Sequence, residues 1–280
     1  MLDEYFSSLN SCALTARRAG YLLLAMVAML APLRAQTRWK LVWSDEFKGA
    51  AGSAPDPAKW VYDLGANGWG NQELENYTDS RDNSYLDGKG HLAIRARRAP
   101  SGEYTSARLK TQGKVSTQYG KIEARIKLPY GQGIWPAFWM LGSNITEVDW
   151  PACGEVDIME NIGSKPLVQV GSAHGPNFPG TGMTANYELP NHRPYYKAFH
   201  KFTIEWSPNK IEFFVDGVSY ETVTPTGLPS NAKWVFEHPF FFLLNVAVGG
   251  DWPGKPDDTT KFPQVMLVDY VRVWKAQGSE

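Results

Sequence analysis

The stretch Gly154-Glu155-Val156-Asp157-Ile158-Met159-Glu160-Asn161 interleaves three carboxylates with three apolar residues. Side chains of a strand alternate between faces, so Glu155 and Asp157 share one face while Val156 and Ile158 occupy the other. Glu160 breaks the count. Five residues from Glu155, it would fall among the apolar residues of a regular strand, where an unpaired carboxylate is costly or takes up a proton. One residue bulged out near Ile158 or Met159 restores the parity and brings all three acids to one face. The Cα atoms of Glu155 and Glu160 then lie roughly 13 Å apart, four effective steps of about 3.3 Å. A solvated edge strand is the competing reading, but three like charges on one face repel unless something is bound or protonated.

The sequence around this stretch also reads as strands. Period-two alternation runs through residues 91–96, 120–127 and 201–206. Residues 210–215 enter a tight turn at Asp216-Gly217, and residues 270–274 form a closing strand. Few windows show helical spacing. No repeat, low-complexity linker or composition shift follows residue 36, so the expectation is an all-β fold, one two-sheet sandwich over residues 36–280.

Residues 1–35 read as an address. Arg17 and Arg18 precede the apolar run Tyr21-Leu22-Leu23-Leu24-Ala25-Met26-Val27-Ala28-Met29-Leu30, which is short for a membrane span, and the small residues Ala31 and Ala35 follow. That layout predicts a secretory signal and an extracellular or periplasmic protein with no membrane in its mature form. Asp3 and Glu4 leave open a downstream start or a twin-arginine signal, and an uncleaved anchor is the alternative.

The 28 basic and 29 acidic residues nearly balance, which favours neither nucleic acid nor an anionic membrane as partner. Of the two cysteines, Cys12 lies in the leader, leaving Cys153 without an internal disulfide partner. No His stands at a recognisable spacing from it, so Cys153 reads as a buried structural thiol rather than a nucleophile. The chain carries 11 Trp and 13 Tyr. Trp206 and Trp274 sit in alternating strands and read as core. Trp69, Trp135, Trp139, Trp150 and Trp252 fall in loop-like segments or strand ends, where aromatic faces can stack on sugar rings.

Six motifs then resemble glycoside hydrolase family 16, in order over residues 39–275. Glu155-Val156-Asp157-Ile158-Met159-Glu160 matches its Glu-x-Asp-x-x-Glu signature, and Trp43-Ser44-Asp45-Glu46-Phe47 its opening strand. Gly68-Trp69-Gly70-Asn71-Gln72-Glu73 with Tyr77-Thr78 is similar to the first cleft loop. Trp135-Pro136-Ala137-Phe138-Trp139-Met140-Leu141 precedes the acids. Asn245-Val246-Ala247-Val248-Gly249-Gly250-Asp251-Trp252-Pro253-Gly254 and Asp269-Tyr270-Val271-Arg272-Val273 follow them. The extra Met159 resembles the laminarinase branch of endo-1,3-β-glucanases, since the lichenase and xyloglucan-transferase branches carry a shorter Glu-x-Asp-x-Glu.

The resemblance implies a β-jelly-roll of two antiparallel sheets with a concave substrate cleft, acting on β-glucan as a monomer and needing no cofactor for catalysis. It assigns Glu155 as nucleophile, Glu160 as acid and then base, and Asp157 as the residue steadying Glu155, with retention of configuration if the two glutamates approach to about 5–5.5 Å. Trp135, Trp139, Asn71, His174, Arg108, Asn245 and Trp252 match its substrate-binding positions; for His174 and Arg108 a structural pairing is equally open. Glu46, Gly90 and Asp269 match a structural calcium site. A non-catalytic β-glucan-binding protein and a hydrolase of lichenan or galactan remain the alternatives.

Overall fold

A computed structural model of the protein describes residues 37–278. The leader read over residues 1–35 lies outside the described residues. In chain order the strands are β1 (Trp39–Asp45), β2 (Val61–Asp63), β3 (Glu75–Tyr77), β4 (Ser84–Leu86), β5 (Leu92–Arg98) and β6 (Tyr104–Ser106). Then come β7 (Arg108–Lys110), β8 (Gly120–Lys127), β9 (Ile134–Gly142), β10 (Glu155–Glu160), β11 (Val168–Gly175) and β12 (Phe178–Glu188). The last five are β13 (His200–Ser207), β14 (Lys210–Val215), β15 (Val218–Val223), β16 (Phe240–Val248) and β17 (Gln264–Ala276). A single helical turn, α1 (Ile145–Val148), precedes the acidic strand.

Two sheets result. One has seven strands in the order β12-β11-β10-β9-β16-β7-β2; the other has ten, with β15-β14-β13-β8-β17-β5-β6-β3 as its path and β1 and β4 beside it. The pairings are antiparallel, as a jelly-roll requires, apart from the short parallel pair β3 with β6.

Alternation decides which side chains meet between the sheets. Phe138 and Met140 of β9, Val156 of β10, and Phe240, Phe242, Leu244 and Val246 of β16 pack with Ile122 and Ile126 of β8, Phe202 and Ile204 of β13, and Val271 and Val273 of β17. Each such fully buried large side chain contributes about 1.5–3 kcal/mol. The opposite parity of the seven-stranded sheet carries Trp135, Trp139 and Asn245, which line a cleft.

The alternating stretches are strands as expected, with two differences. The closing strand begins at Gln264, earlier than expected, because its pairing with β8 shifts between Val268 and Tyr270; residues on either side of that shift obey different parities. Trp274 is a correction. It follows Val273 and so faces outward, half-buried under the Lys121 ammonium, which lies 5.4 Å from its ring. Trp206 is core, 4% exposed.

Candidate active site

The acidic strand enters through Gly154, whose φ of +75° favours glycine and where an added Cβ would lie 2.9 Å from Phe240. From Glu155 to Asp157 the strand keeps register with β9, Asp157 pairing with Trp139; the next pair is Met159 with Phe138. Ile158 is therefore the extra residue. Against β11 the same shift appears between Asp157 and Glu160. Ile158 and Met159 both turn into the core, and Glu155, Asp157 and Glu160 all line the cleft.

Crowding of these acids sets their proton affinity. Burial first, and the Asp157 charge second, push Glu155 up to about 8, while His174, an indole hydrogen bond from Trp150 and Arg108 pull it down. Burial raises Asp157 as well, against a hydrogen bond shared with Glu155. Glu160 is driven well above the usual carboxyl range by burial and then by the Asp157 and Glu155 charges, with the Trp135 hydrogen bond opposing. Glu155 has more groups favouring its anion than Glu160 has. That asymmetry is what an anion beside a proton-holding acid requires.

His174 stands opposite Glu155 on β11, its Nε2 3.0 Å from Asp157 Oδ2. The approach is close but not an aligned hydrogen bond, since Oδ2 has no hydrogen-bond partner. Glu155, Asp157 and His174 offer donor atoms within 4.8 Å of one another, a compact charge cluster at the cleft floor.

The cleft has two lobes that share Asn71, Trp135, Trp150, Glu155 and Glu160. One continues past Trp69, Arg108, Trp139 and Asn245, the other past Ser172, His174, Thr184 and Trp252. The three acids and the seven substrate positions read from the sequence therefore line the same cleft, as do all five aromatics read as loop or strand-end residues, although Trp139 sits in the middle of β9. Trp135 donates its indole N–H to Glu160 Oε1 at 2.9 Å, and Trp252 packs edge-on to it at 5.3 Å. Trp139 donates to Asn245 Oδ1 at 2.8 Å. Arg108 is both structural and lining: Asp63 holds its Nε at 3.0 Å, and its guanidinium lies 4.8 Å from Trp69 and 4.7 Å from Trp139. Cys153 is fully buried and its thiol is pushed up to about 11 by burial, as an inert structural residue requires.

The sequence reading did not assign three residues that the structure brings to the site. Trp150 appeared only as a loop aromatic, yet it hydrogen-bonds Glu155. Glu73 and Tyr77 lay inside a recognised motif without a role; they support Asn71 and Asn245 from behind. The Asn71-x-Glu73 spacing was the available signal.

At the calcium positions, arginines hold side-chain oxygens of two of the three residues. Glu46 has both oxygens on Arg272, at 2.9 and 2.8 Å, and Asp269 Oδ2 accepts from Arg125 at 2.6 Å. A divalent cation on the Glu46 carboxylate would have to displace Arg272, whereas these arginines do not hold Asp269 Oδ1 or the main-chain carbonyls of the three residues.

Comparison with known proteins agrees with this geometry. The family model described as "Glycosyl hydrolases family 16" matches residues 71–272. A protein of Rhodothermus marinus named "Beta-glucanase" is 42% identical over 275 residues, covering 92% of this chain and 94% of its own. A "Glucan endo-1,3-beta-glucosidase" of Cryptopygus antarcticus is 36% identical over 256 residues, covering 84% of this chain and 92% of its own. Among solved structures, the catalytic domain of an endo-1,3-beta-glucanase (laminarinase) from Thermotoga petrophila RKU-1 matches with a TM-score of 0.81 at 46% identity, over 86% of this chain and 100% of that one. With the bulged acidic strand in an aromatic-walled cleft and a family match over most of its length, the chain belongs to glycosyl hydrolases family 16.

Proposed function

We propose that this glycoside hydrolase cuts internal β-1,3-glucosidic bonds of laminarin-type glucans with retention of configuration, and mixed-linkage β-1,3-1,4-glucan as a secondary substrate. The observation that carries the reading is the bulge at Ile158, which turns Glu160 to the same side as Glu155 and Asp157. Glu155 attacks the anomeric carbon, and Glu160 protonates the leaving oxygen. Glu160, now a base, takes a proton from water, which releases the sugar from Glu155. Asp157 holds Glu155 in place. Asn71, Trp135, Trp139, Arg108, His174, Asn245 and Trp252 bind the glucan chain across the two lobes. A cleft with two lobes beyond the acids suits cutting within a chain.

Arg108 is the sole Lys or Arg among the described lining residues, and Asp63 and two indoles engage it. That argues against a sulfated galactan as substrate. Export through the leader and a monomeric state belong to the same proposal; among the described residues no helix is long and apolar enough to cross a membrane.

Reducing ends released from laminarin, lichenan and a galactan, measured side by side, test the reading. Laminarin is expected to give the fastest release, lichenan a slower one, and Glu155→Gln none. NMR of the first product is expected to show retained anomeric configuration. Binding of laminarin without release by the wild type would replace hydrolysis with a glucan-binding role, and faster release from galactan would move the substrate assignment.

A further inference from the structure

Behind the wall formed by Trp139 and Asn245, the hydrogen bonds all point the same way. Trp139 Nε1 donates to Asn245 Oδ1 at 2.8 Å, and Asn245 Nδ2 donates to the Tyr77 hydroxyl at 3.1 Å. The Tyr77 hydroxyl donates to Glu73 Oε2 at 3.0 Å, while Asn71 Nδ2 donates to Glu73 Oε1 at 3.0 Å. Both oxygens of Glu73 are acceptors, and two donor paths end there. This is the arrangement an ionised carboxylate makes.

Glu75, two residues on at the start of β3, is fully buried. Its Oε2 accepts the Val248 N–H at 2.6 Å, but Oε1 has no donor. A second buried anion there would leave that oxygen unsatisfied next to a like charge. With a proton on it, Oε1 becomes a donor to Glu73, the carboxyl beside it. Burial first and the Glu73 charge second push Glu75 up to about 9, in agreement with the contacts.

We propose that Glu73 is a positioning residue: an anion, accompanied by a proton on Glu75, whose accepted hydrogen bonds fix the amide of Asn71 and the Tyr77-Asn245-Trp139 chain, so that Asn71 presents its carbonyl to a sugar hydroxyl. Asn71 lines both lobes of the cleft. With one Nδ2 hydrogen held by Glu73, the amide cannot flip, and Oδ1 is its acceptor turned to substrate. Asn245 has both ends of its amide engaged and holds the Trp139 indole in plane. The sugar ring bound there is selected for a hydroxyl donor aimed at Asn71. The inference rests on the glucanase reading.

The two carboxyls respond differently to the same substitution. In Glu73→Gln, an NH2 group faces either Asn71 or Tyr77, donor against donor, and one path must reverse. In Glu75→Gln, the amide is a permanent donor to Glu73, as the protonated acid is. Initial rates on laminarin are therefore expected to show KM raised about tenfold by Glu73→Gln with kcat within about threefold, and KM within about twofold of wild type for Glu75→Gln. Thermal unfolding adds a second readout. Glu75 faces Glu73, and the charged and titratable groups around the pair are Tyr77 and Arg108. A proton held above the ordinary carboxyl value stabilises the fold fully at acid pH, and that contribution is lost as pH rises toward 9. Glu75→Gln is expected to raise Tm more at pH 8 than at pH 5.

No release of reducing ends by the wild type would sink the glucanase reading. Release by the wild type with an unchanged KM in Glu73→Gln, or equal KM changes in both variants, would sink this inference alone. Where Glu73→Gln does not fold, Tyr77→Phe removes a single oxygen from the same path and is expected to raise KM by a few fold; an unchanged KM there overturns the inference as well.

Discussion

In the cleft, Glu155, Asp157 and Glu160 have among them the nearby imidazole of His174 and two indole N–H groups, whereas beside β1 and β17 Glu46 has both oxygens on Arg272 and Asp269 has one on Arg125. The same side-chain chemistry gives opposite proton affinities. Burial raises the cleft acids, and the Arg272 hydrogen bonds lower Glu46. Their contributions to stability therefore run in opposite directions with pH. Cleft acids stabilise the fold fully below the ordinary carboxyl range, and that contribution is lost as pH rises through their raised values, about 8 for Glu155. The Glu46 contribution is present above the ordinary value and is lost as pH falls through its lowered one. One region is built for chemistry and the other for holding two strands together.

The largest expected effect removes the proton-holding acid. Glu160→Gln takes away the proton donor, so kcat on laminarin is expected to fall by about 10²–10⁴. The same change removes a buried anion at alkaline pH. Its Tm is expected to exceed that of the wild type at pH 8 and to match it near pH 4, where both side chains are neutral. A lower Tm at pH 8 would mean that Glu160 is stabilised as an anion, and the contrast with Glu46 would fail.

Next in size is Asp157→Asn. Hydrolysis needs Glu155 ionised and Glu160 protonated, which gives a bell-shaped pH profile. The Asp157 charge raises both groups. Neutralising it is expected to move both limbs of kcat/KM toward acid and to lower the peak by about tenfold, from lost orientation of Glu155. A profile that keeps its position would make Asp157 a spacer rather than an electrostatic partner.

The acidic strand was legible because parity is a hard constraint. Three carboxyls and three apolar residues in eight positions admit one arrangement without a carboxyl in the apolar core, and β10 adopts it by bulging Ile158. The aromatic lining was legible in part because Trp69, Trp150 and Trp252 sit in turns with no core to fill, whereas Trp135 and Trp139 lie on β9 and line the cleft by facing away from the core. Trp274 was not, since its strand was read without the face its neighbours occupy: Val273 takes the core, and alternation puts Trp274 outside. Roles for Glu73 and Tyr77 were hidden for a different reason. Each acts through another side chain, and no local pattern records which amide a buried carboxylate will hold. The arginine contacts of Glu46 and Asp269 were hidden for a related cause, as spacing shows which carboxylates exist but not that arginines from β8 and β17 will reach them.

The smallest effect is expected on the outer side. Glu46→Gln keeps the shape of the side chain and removes its charge, leaving Arg272 over the Tyr270 ring, 3.7 Å from its centroid. The side chains of the pair are about a third exposed, at 32% and 34%, so solvent screens the interaction. Exposed pairs of this kind contribute about 0.2–1 kcal/mol, even with two-point geometry. For a chain of this size, Tm at pH 7 is expected to fall by about 1–3 °C, with kcat/KM unchanged. The difference is expected to shrink in high salt and to vanish as pH falls below the lowered value of Glu46, where the wild type is itself neutral. A loss that persists at low pH would show that Glu46 acts by shape and not by charge, and the contrast between the two regions would fail.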